Sequence, residues 1–116
     1  MQARAVSRYN RHSPQKMRLV VDLIRGRSVN DAYAVLQYTK KKAAETVTKT
    51  LRSAVANARD KADQQGELVD VDELYVKEAY VDMGPYYKRW RAAAMGRPAR
   101  IQRPTAHVTI VVDRKE

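Results

Sequence analysis

Apolar residues recur along the chain with two different spacings, and each spacing predicts a different kind of element. Residues 2–9 alternate small or apolar side chains with arginines, which predicts a short strand with one basic face. Three later segments repeat apolar residues every three or four positions, as on one side of a helix. Residues 68–83 and 105–113 mix β-branched or aromatic residues with polar ones and predict strands. The expected order is therefore a strand, three helices and two long strands.

Capping residues set the expected boundaries of the first two helices. Ser13 before Pro14 predicts a first helix over 14–25, because a hydroxyl residue followed by proline is a common helix start. Gly26 stands where a left-handed residue ends a helix. Ser28, with an aspartate three positions later, has the spacing of a capping box and predicts a short second helix.

The third helix is predicted to be the longest. Thr39 is expected to cap it, and the polar run before Gly66 ends it, so the helix covers about 40–64. Its inward face is small or apolar and permits close packing. That face consists of Ala44, Val47, Leu51, Ala54, Val55 and Ala58.

Composition adds a large charge imbalance. The chain has 23 Lys and Arg against 13 Asp and Glu, a net charge of +10, so a polyanion is the first partner to consider. It has no cysteine, which excludes disulfide frameworks and thiolate chemistry. No apolar run approaches the roughly 20 residues that span a bilayer. Residues 1–11 lack the pattern of a secretory signal, so a cytoplasmic protein is expected.

The segment 84–104, between the two long strands, carries only positive charge. Its six cations, with no carboxylate among them, are Lys88, Arg89, Arg91, Arg97, Arg100 and Arg103. Residues 62–82 have seven carboxylates and one lysine, so opposite charges are segregated along the chain. A pair of strands leading to this segment would reach about 35–45 Å, beyond a body with a radius of gyration near 13 Å. We therefore expect a protruding hairpin that a surrounding polyanion orders.

Aromatic residues are interleaved with these cations. Tyr86, Tyr87 and Trp90 could stack on unpaired bases while the cations neutralise phosphates, a combination that favours RNA. Alternatively, the rings pack on one another and brace the base of the hairpin. The cations could equally form a solvated basic face, although the absence of any anion favours phosphate binding.

A second basic surface is predicted at the N-terminus. Residues 1–27 have seven cations against one aspartate: Arg4, Arg8, Arg11, Lys16, Arg18, Arg25 and Arg27. Lys16 and Arg18 lie near the start of the first helix, where the helix dipole prefers anions, so a docked phosphate would explain them. The alternative is that they only cover apolar neighbours. The run 40–42 (Lys40, Lys41, Lys42) raises the same question at the third helix.

Catalytic chemistry is poorly represented. His12 and His107 are far apart in sequence, and neither has the spacing of metal ligands, so His107 is expected to be a surface or RNA-contacting imidazole. No catalytic residue, metal, cofactor or small-molecule substrate is expected. Two other functions stay open. The first two helices could form the helix-turn-helix of a DNA-binding regulator, or the carboxylates could hold a divalent ion in a nuclease.

Several segments together resemble bacterial large-subunit ribosomal protein L twenty-two. They follow in order along essentially the full length: SPQKMRLV at 13–20, IRGRSV at 24–29, LYVKEA at 74–79, GP at 84–85, KR at 88–89, GR at 96–97 and TAHVT at 105–109. The resemblance implies an α+β fold, with three helices on a small three-stranded antiparallel sheet and a long protruding β-hairpin. One domain is expected over 1–116, with a body of about 1–80 and 106–116 and a hairpin of about 81–105.

The same resemblance implies a role in the cytoplasmic ribosome. The protein would bind large-subunit ribosomal RNA early in assembly, contact neighbouring large-subunit ribosomal proteins, and line the nascent-peptide exit tunnel. The expected RNA contacts are Arg4, Arg8, Arg11, Ser13, Lys16, Arg18, Arg25, Lys40, Lys41, Lys42, Lys88, Arg89, Trp90, Arg91, Arg97, Arg100, Arg103 and His107. The expected hairpin tip, near the nascent peptide, is Ala92, Ala93, Ala94, Met95 and Gly96.

The chain departs in three places from the pattern of the family that it resembles. Lys40 follows Thr39 where the family usually has proline, a change expected to cost little. Ala92 and Ala93 stand where Pro-Arg is typical, which removes a cation from the tip. Pro104 replaces a basic residue and predicts a break between the hairpin and the body.

Overall fold

Helices and strands follow one another in the predicted order within residues 2–92 and 94–114, the part of the chain that the computed structural model describes. The helices are α1 (Pro14–Ile24), α2 (Val29–Tyr38) and α3 (Ala43–Gln64). The strands are β1 (Gln2–Asn10), β2 (Leu74–Met83), β3 (Tyr87–Ala92), β4 (Pro98–Arg103) and β5 (Ala106–Arg114). Short 3-10 turns lie at Val71–Glu73 and Ala94–Gly96.

Three strands form one antiparallel sheet in the order β1-β5-β2. Because β5 is the central strand, it is hydrogen-bonded along both of its edges. Val108, Ile110 and Val112 are fully buried in the core beneath the helices. Val111 lies on the opposite face and is still only 6% exposed, since the two neighbouring strands flank it.

The helices pack their predicted apolar faces on this sheet. Met17, Val20, Val21 and Ile24 of α1 have no solvent exposure. The small-residue face of α3 is buried along its whole length, as its spacing predicts. The burial of such faces is the main stabilising contribution to the fold, because each Å² of apolar surface removed from water contributes about 25 cal/mol of free energy.

A second, two-stranded sheet extends the molecule. Strands β3 and β4 pair only with each other, so we call Tyr87–Ala92 and Pro98–Arg103, with the turn between them, the arm. The molecule measures 67 × 28 × 16 Å and has a radius of gyration of 17.6 Å. A compact chain of this length would be near 13 Å. The predicted α+β fold with a protruding hairpin is therefore confirmed, and Pro104 lies in the predicted break before β5.

The predicted cap of the third helix is wrong. Helix α2 continues to Tyr38, so Thr39 lies at its C-terminal end, where its hydroxyl donates a 2.7 Å hydrogen bond to the Val35 carbonyl. Helix α3 begins three residues later than predicted, after Lys42. Ser28 caps α2 as predicted and accepts a hydrogen bond from the Asp31 amide, whereas Ser13 makes no side-chain cap to α1.

Candidate nucleic-acid interface

The arm presents cations on both of its faces. In an antiparallel ribbon, directly opposed residues share a face and successive residues alternate between faces. One face carries Arg89, Arg91 and Arg103, and the other carries Lys88 and Arg100. All five side chains are exposed, as is Arg97 beyond the turn. Within the described part of the arm there is no carboxylate to neutralise them. The arm is therefore suited to lie between polyanions rather than on one.

Two aromatic residues of the arm have different surroundings. Trp90 lies opposite Arg100 and is 66% exposed, so its ring is free to stack on a partner. Tyr87 is half-buried at the base of the arm, where the guanidinium carbons of Arg11 and Arg89 lie 5.5 and 5.7 Å from its ring centroid. Cation–π contact of this kind holds a guanidinium in place over the ring. Among the described residues, these rings make no contact with each other, so mutual bracing is not observed.

A cleft of about 340 Å³ lies where the arm meets the body. It is lined by Arg11, Tyr87, Arg89, Arg103 and Pro104. Arg11 comes from the loop between β1 and α1, whereas both other arginines belong to the arm. The sequence singles out the cations and Tyr87 and places Pro104 at the break between hairpin and body, but it does not predict that they line one cleft, because it gives no information on how the arm is oriented.

Arg11 also borders a second cleft, of about 580 Å³, on the body. Its other lining residues are His12, Ser13, Lys16, Leu19, Lys41, Lys42 and Ala43. The starts of α1 and α3 thus meet at this cleft, and neither has a side-chain cap. Helix N-termini and lysines both favour anions. Because Arg11 lines both clefts, this cleft and the one at the base of the arm form one continuous basic surface, which we call the basic band. Lys40 is exposed in the same loop.

Arg18 and Arg25 are used largely within the fold. Arg18 donates through Nε and Nη2 to the Val81 carbonyl, at 3.2 and 3.0 Å. Arg25 donates to the Ala79 carbonyl at 3.0 and 2.6 Å, and also pairs with Asp22 at 2.8 Å. Both carbonyls lie on the outer edge of β2, so the two arginines cover a strand edge that would otherwise be unpaired. Other groups on these guanidiniums remain available to a partner.

Arg4 and Arg8 lie on the face of the sheet that the helices leave uncovered. They border a shallow depression together with His107, Tyr80 and Asp82. His107 is half-buried, and its Nδ1 accepts a 3.0 Å hydrogen bond from the Tyr9 amide. Asp82 lies directly across the strand pair from His107, so this face is less uniformly basic than the arm.

The tip of the arm is a tight turn. Ala92 ends β3, and the turn that follows it includes Met95 and Gly96, both with positive φ. The Met95 side chain is 95% exposed. Ala94 begins the 3-10 turn, and Ala93 lies outside the described residues.

Titratable groups do not converge as they would in a catalytic centre. Among residues 2–92 and 94–114, no group of three His, Cys, Asp or Glu side chains could hold a metal ion. No helix in the same part of the chain is long and apolar enough to cross a membrane.

The loop between α1 and α2 is tied to β2 by hydrogen bonds from the Gly26 amide to the Val76 carbonyl and from the Val76 amide to the Arg27 carbonyl.

An α+β body with a basic arm and a basic band defines the class: a structural protein whose chemistry lies in its charged surfaces. The family model described as "Ribosomal protein L22p/L17e" matches residues 5–113. The chain belongs to this family of ribosomal proteins. The family is structural and not enzymatic, so the prediction of a non-enzymatic protein is confirmed and the regulator and nuclease alternatives fall away.

Curated relatives cover the chain almost end to end. A "Large ribosomal subunit protein uL22" from Bifidobacterium longum (strain DJO10A) is 50% identical over 116 residues, covering 100% of this chain and 98% of the relative. One from Desulfitobacterium hafniense (strain DSM 10664 / DCB-2) is 54% identical over 115 residues, covering 99% and 96%. One from Pelotomaculum thermopropionicum is 50% identical over 117 residues, covering 100% and 99%. Ribosomal proteins of bacteria are cytoplasmic, in agreement with the predicted location.

Proposed function

We propose that the chain is a structural constituent of the large ribosomal subunit, where it binds large-subunit ribosomal RNA through the arm and the basic band. It acts as one domain, with the body positioning the arm. Its relatives are named as large-subunit proteins, which supports this place in the ribosome. The observation that carries the proposal is the distribution of cations over both faces of the arm, with no carboxylate among them.

The physical basis is release of counterions. Each phosphate that a cation neutralises frees condensed ions, so affinity for RNA falls steeply with salt. A ribbon with cations on both faces binds RNA most tightly where RNA surrounds it, because both faces then contact phosphates. Trp90 can stack on an unpaired base in such a site. Neighbouring large-subunit ribosomal proteins are the expected protein partners. The body can begin assembly by docking its basic band before the arm is enclosed.

The tip of the arm is proposed to line the nascent-peptide exit tunnel. Its described residues are small or apolar apart from Arg97, so they offer a passing peptide little charge to bind. Met95 is the most exposed large side chain of the turn and is the proposed contact with the peptide. Phosphate binding would then be concentrated along β3 and β4 rather than at the turn.

The test compares two variants of the full chain that lose equal charge. One carries Lys88→Gln, Arg91→Gln and Arg100→Gln on strands β3 and β4 of the arm. The matched control carries Lys49→Gln, Arg52→Gln and Arg59→Gln on exposed positions of α3. Binding to fragments of large-subunit ribosomal RNA is measured as a function of salt, with duplex DNA of equal length as competitor.

The arm variant is expected to flatten the salt dependence by about 0.7–0.9 per phosphate contact, or roughly two to three units in total. The control is expected to change the slope by less than about one unit, and RNA is expected to outcompete DNA. Equal slopes for the two variants, together with equal competition by DNA, would show general polycation behaviour and would contradict the proposal.

A further inference from the structure

Three arginines line the cleft at the base of the arm, and none of them has an anionic partner among the described residues. Arg11, from the body, and Arg89, from the arm, both lie over the ring of Tyr87, at 5.5 and 5.7 Å. Arg103 is directly opposite Tyr87 in the strand pair and lines the same cleft. No carboxylate lines this cleft among the described residues. Like charges that line one cleft repel one another, and an anion bound between them would offset this repulsion.

The donors in the cleft remain largely unused. One nitrogen of Arg89 donates to the Lys88 carbonyl at 3.0 Å, and Arg11 and Arg103 make no hydrogen bond or ion pair with another described residue. A guanidinium offers two parallel N–H donors that match the oxygens of a phosphate. The ring of Tyr87 holds two of the three groups in place before any ligand arrives, which lowers the entropic cost of binding.

We propose that this cleft is a composite site for one phosphate group of the RNA backbone, held jointly by Arg11 of the body and Arg89 and Arg103 of the arm. This inference rests on the proposed function and adds a consequence to it. The bound phosphate offsets the repulsion between body and arm, and so fixes the angle at which the arm leaves the body. RNA is favoured over an acidic peptide because the cleft continues into the cationic arm on one side and the basic band on the other.

The first test is a double-mutant cycle in the full chain with Arg11→Gln, Arg103→Gln and the combined variant. If the two residues hold the same phosphate, each single substitution weakens binding to a ribosomal RNA fragment by about tenfold. The combined variant then weakens it by much less than the hundredfold expected of independent contacts. Its salt slope falls by about 0.9, the value for one phosphate, and not by about twice that.

A matched cycle with Arg11→Gln and Arg52→Gln serves as the control, because Arg52 lies on α3 outside the cleft. The losses of RNA affinity caused by these two substitutions are expected to add. Additive losses for Arg11 and Arg103 would overturn the composite site while leaving RNA binding intact. Failure of the unsubstituted chain to prefer RNA would instead overturn the proposed function. If the Arg11 and Arg103 substitutions were equally non-additive in binding to a polyglutamate peptide, the assignment to RNA phosphate would be overturned.

The second test measures the arm angle directly. The chain has no cysteine, so Ala56→Cys on α3 and Ala92→Cys on the arm provide two unique sites for spin labels. The distribution of distances between the labels is expected to narrow when the RNA fragment binds. In the Arg11→Gln background it is expected to stay broad at saturating RNA. An equally narrow distribution of label distances in the Arg11→Gln chain would contradict the proposal that a shared phosphate fixes the angle of the arm.

Discussion

The amide of Tyr9 donates a 3.0 Å hydrogen bond to Nδ1 of His107, and the two rings meet edge to face with centroids 5.0 Å apart. Tyr9 has a φ of 58°, within an irregular stretch where β1 shifts its register against β5. Such a conformation is costly for a tyrosine and persists where its surroundings hold it. The contact fixes His107 beside Gly84, in the segment that joins β2 to the arm.

Gly84, the first residue after β2, is enclosed by this cluster. A Cβ at this position would overlap Oγ1 of Thr105 and lie 3.2 Å from Cε1 and Nε2 of His107. Thr105 cannot easily move, because its hydroxyl donates a 2.6 Å hydrogen bond to the Pro85 carbonyl. The Gly84 amide also donates to the Thr105 carbonyl at 3.0 Å. The junction between body and arm therefore requires a residue without a side chain.

We expect Gly84→Ala to lower the free energy of unfolding by about 1–3 kcal/mol, the usual cost of overpacking a tight site. Urea unfolding followed by circular dichroism measures the change. Ser53→Ala, an exposed position on α3, is the control and should stay within about 0.5 kcal/mol of the original chain. Equal stability of the two variants would show that the junction adapts to a methyl group.

The sequence predicted the elements that a local pattern determines. The helix period predicted the burial of Met17, Val20 and Ile24, and the length of the strand pair around segment 84–104, compared with the size of a compact body, correctly predicted a protruding arm. Thr39 was assigned wrongly because a threonine between two helices suits the end of one as well as the start of the next. Only the observed length of α2 decides between the two.

The convergence of Arg11 with the arm could not be predicted, because it depends on contacts between residues that are far apart in sequence. The same limit applies to Arg18 and Arg25. Their charges favoured phosphate binding, whereas the structure engages them with carbonyls of β2, more than fifty residues away. Residue type alone does not distinguish an arginine that covers a strand edge from one that faces a partner.

Substitution of Arg18 or Arg25 is therefore expected to act mainly on stability. Arg18→Gln and Arg25→Gln each remove hydrogen bonds to the edge of β2, and each should lower the free energy of unfolding by about 1–2 kcal/mol. The salt slope for RNA should change less than it does in Arg91→Gln. Urea unfolding and salt-dependent RNA binding, performed on the same three proteins, measure both effects. A large loss of slope with unchanged stability would assign these arginines to RNA instead.

Truncation of the central strand tests the core. Ile110 is fully buried on β5 between the sheet and the helices, so Ile110→Ala leaves a cavity and should cost about 2–5 kcal/mol. Truncation of Ile101 in the arm is the informative comparison, since that side chain is only half-buried outside the core. Ile101→Ala should cost less than about 1.5 kcal/mol in the same urea titration. Similar losses would show that the arm contributes to the core.

The phenol of Tyr33 is expected to make stability depend on pH in the alkaline range. Burial raises the pKa of Tyr33 above its usual value of 10.0, although the positive charges of Arg52 and Arg59 partly oppose this effect. As pH rises past the usual value, the unfolded chain loses this proton before the folded chain does. The folded state then binds more protons, so the free energy of unfolding falls with pH until the raised pKa is passed.

Tyr33→Phe removes this contribution, so its unfolding free energy should fall less steeply between about pH 9 and about pH 11 than that of the original chain. Tyr38→Phe is the matched control, because Tyr38 is 81% exposed and loses the same hydroxyl. Its pH profile should follow the original chain, with both variants measured by urea unfolding at several pH values. Parallel profiles for all three proteins would mean that Tyr33 titrates alike in the folded and unfolded chain, and that the space around it between α2 and α3 admits enough water to solvate the phenolate.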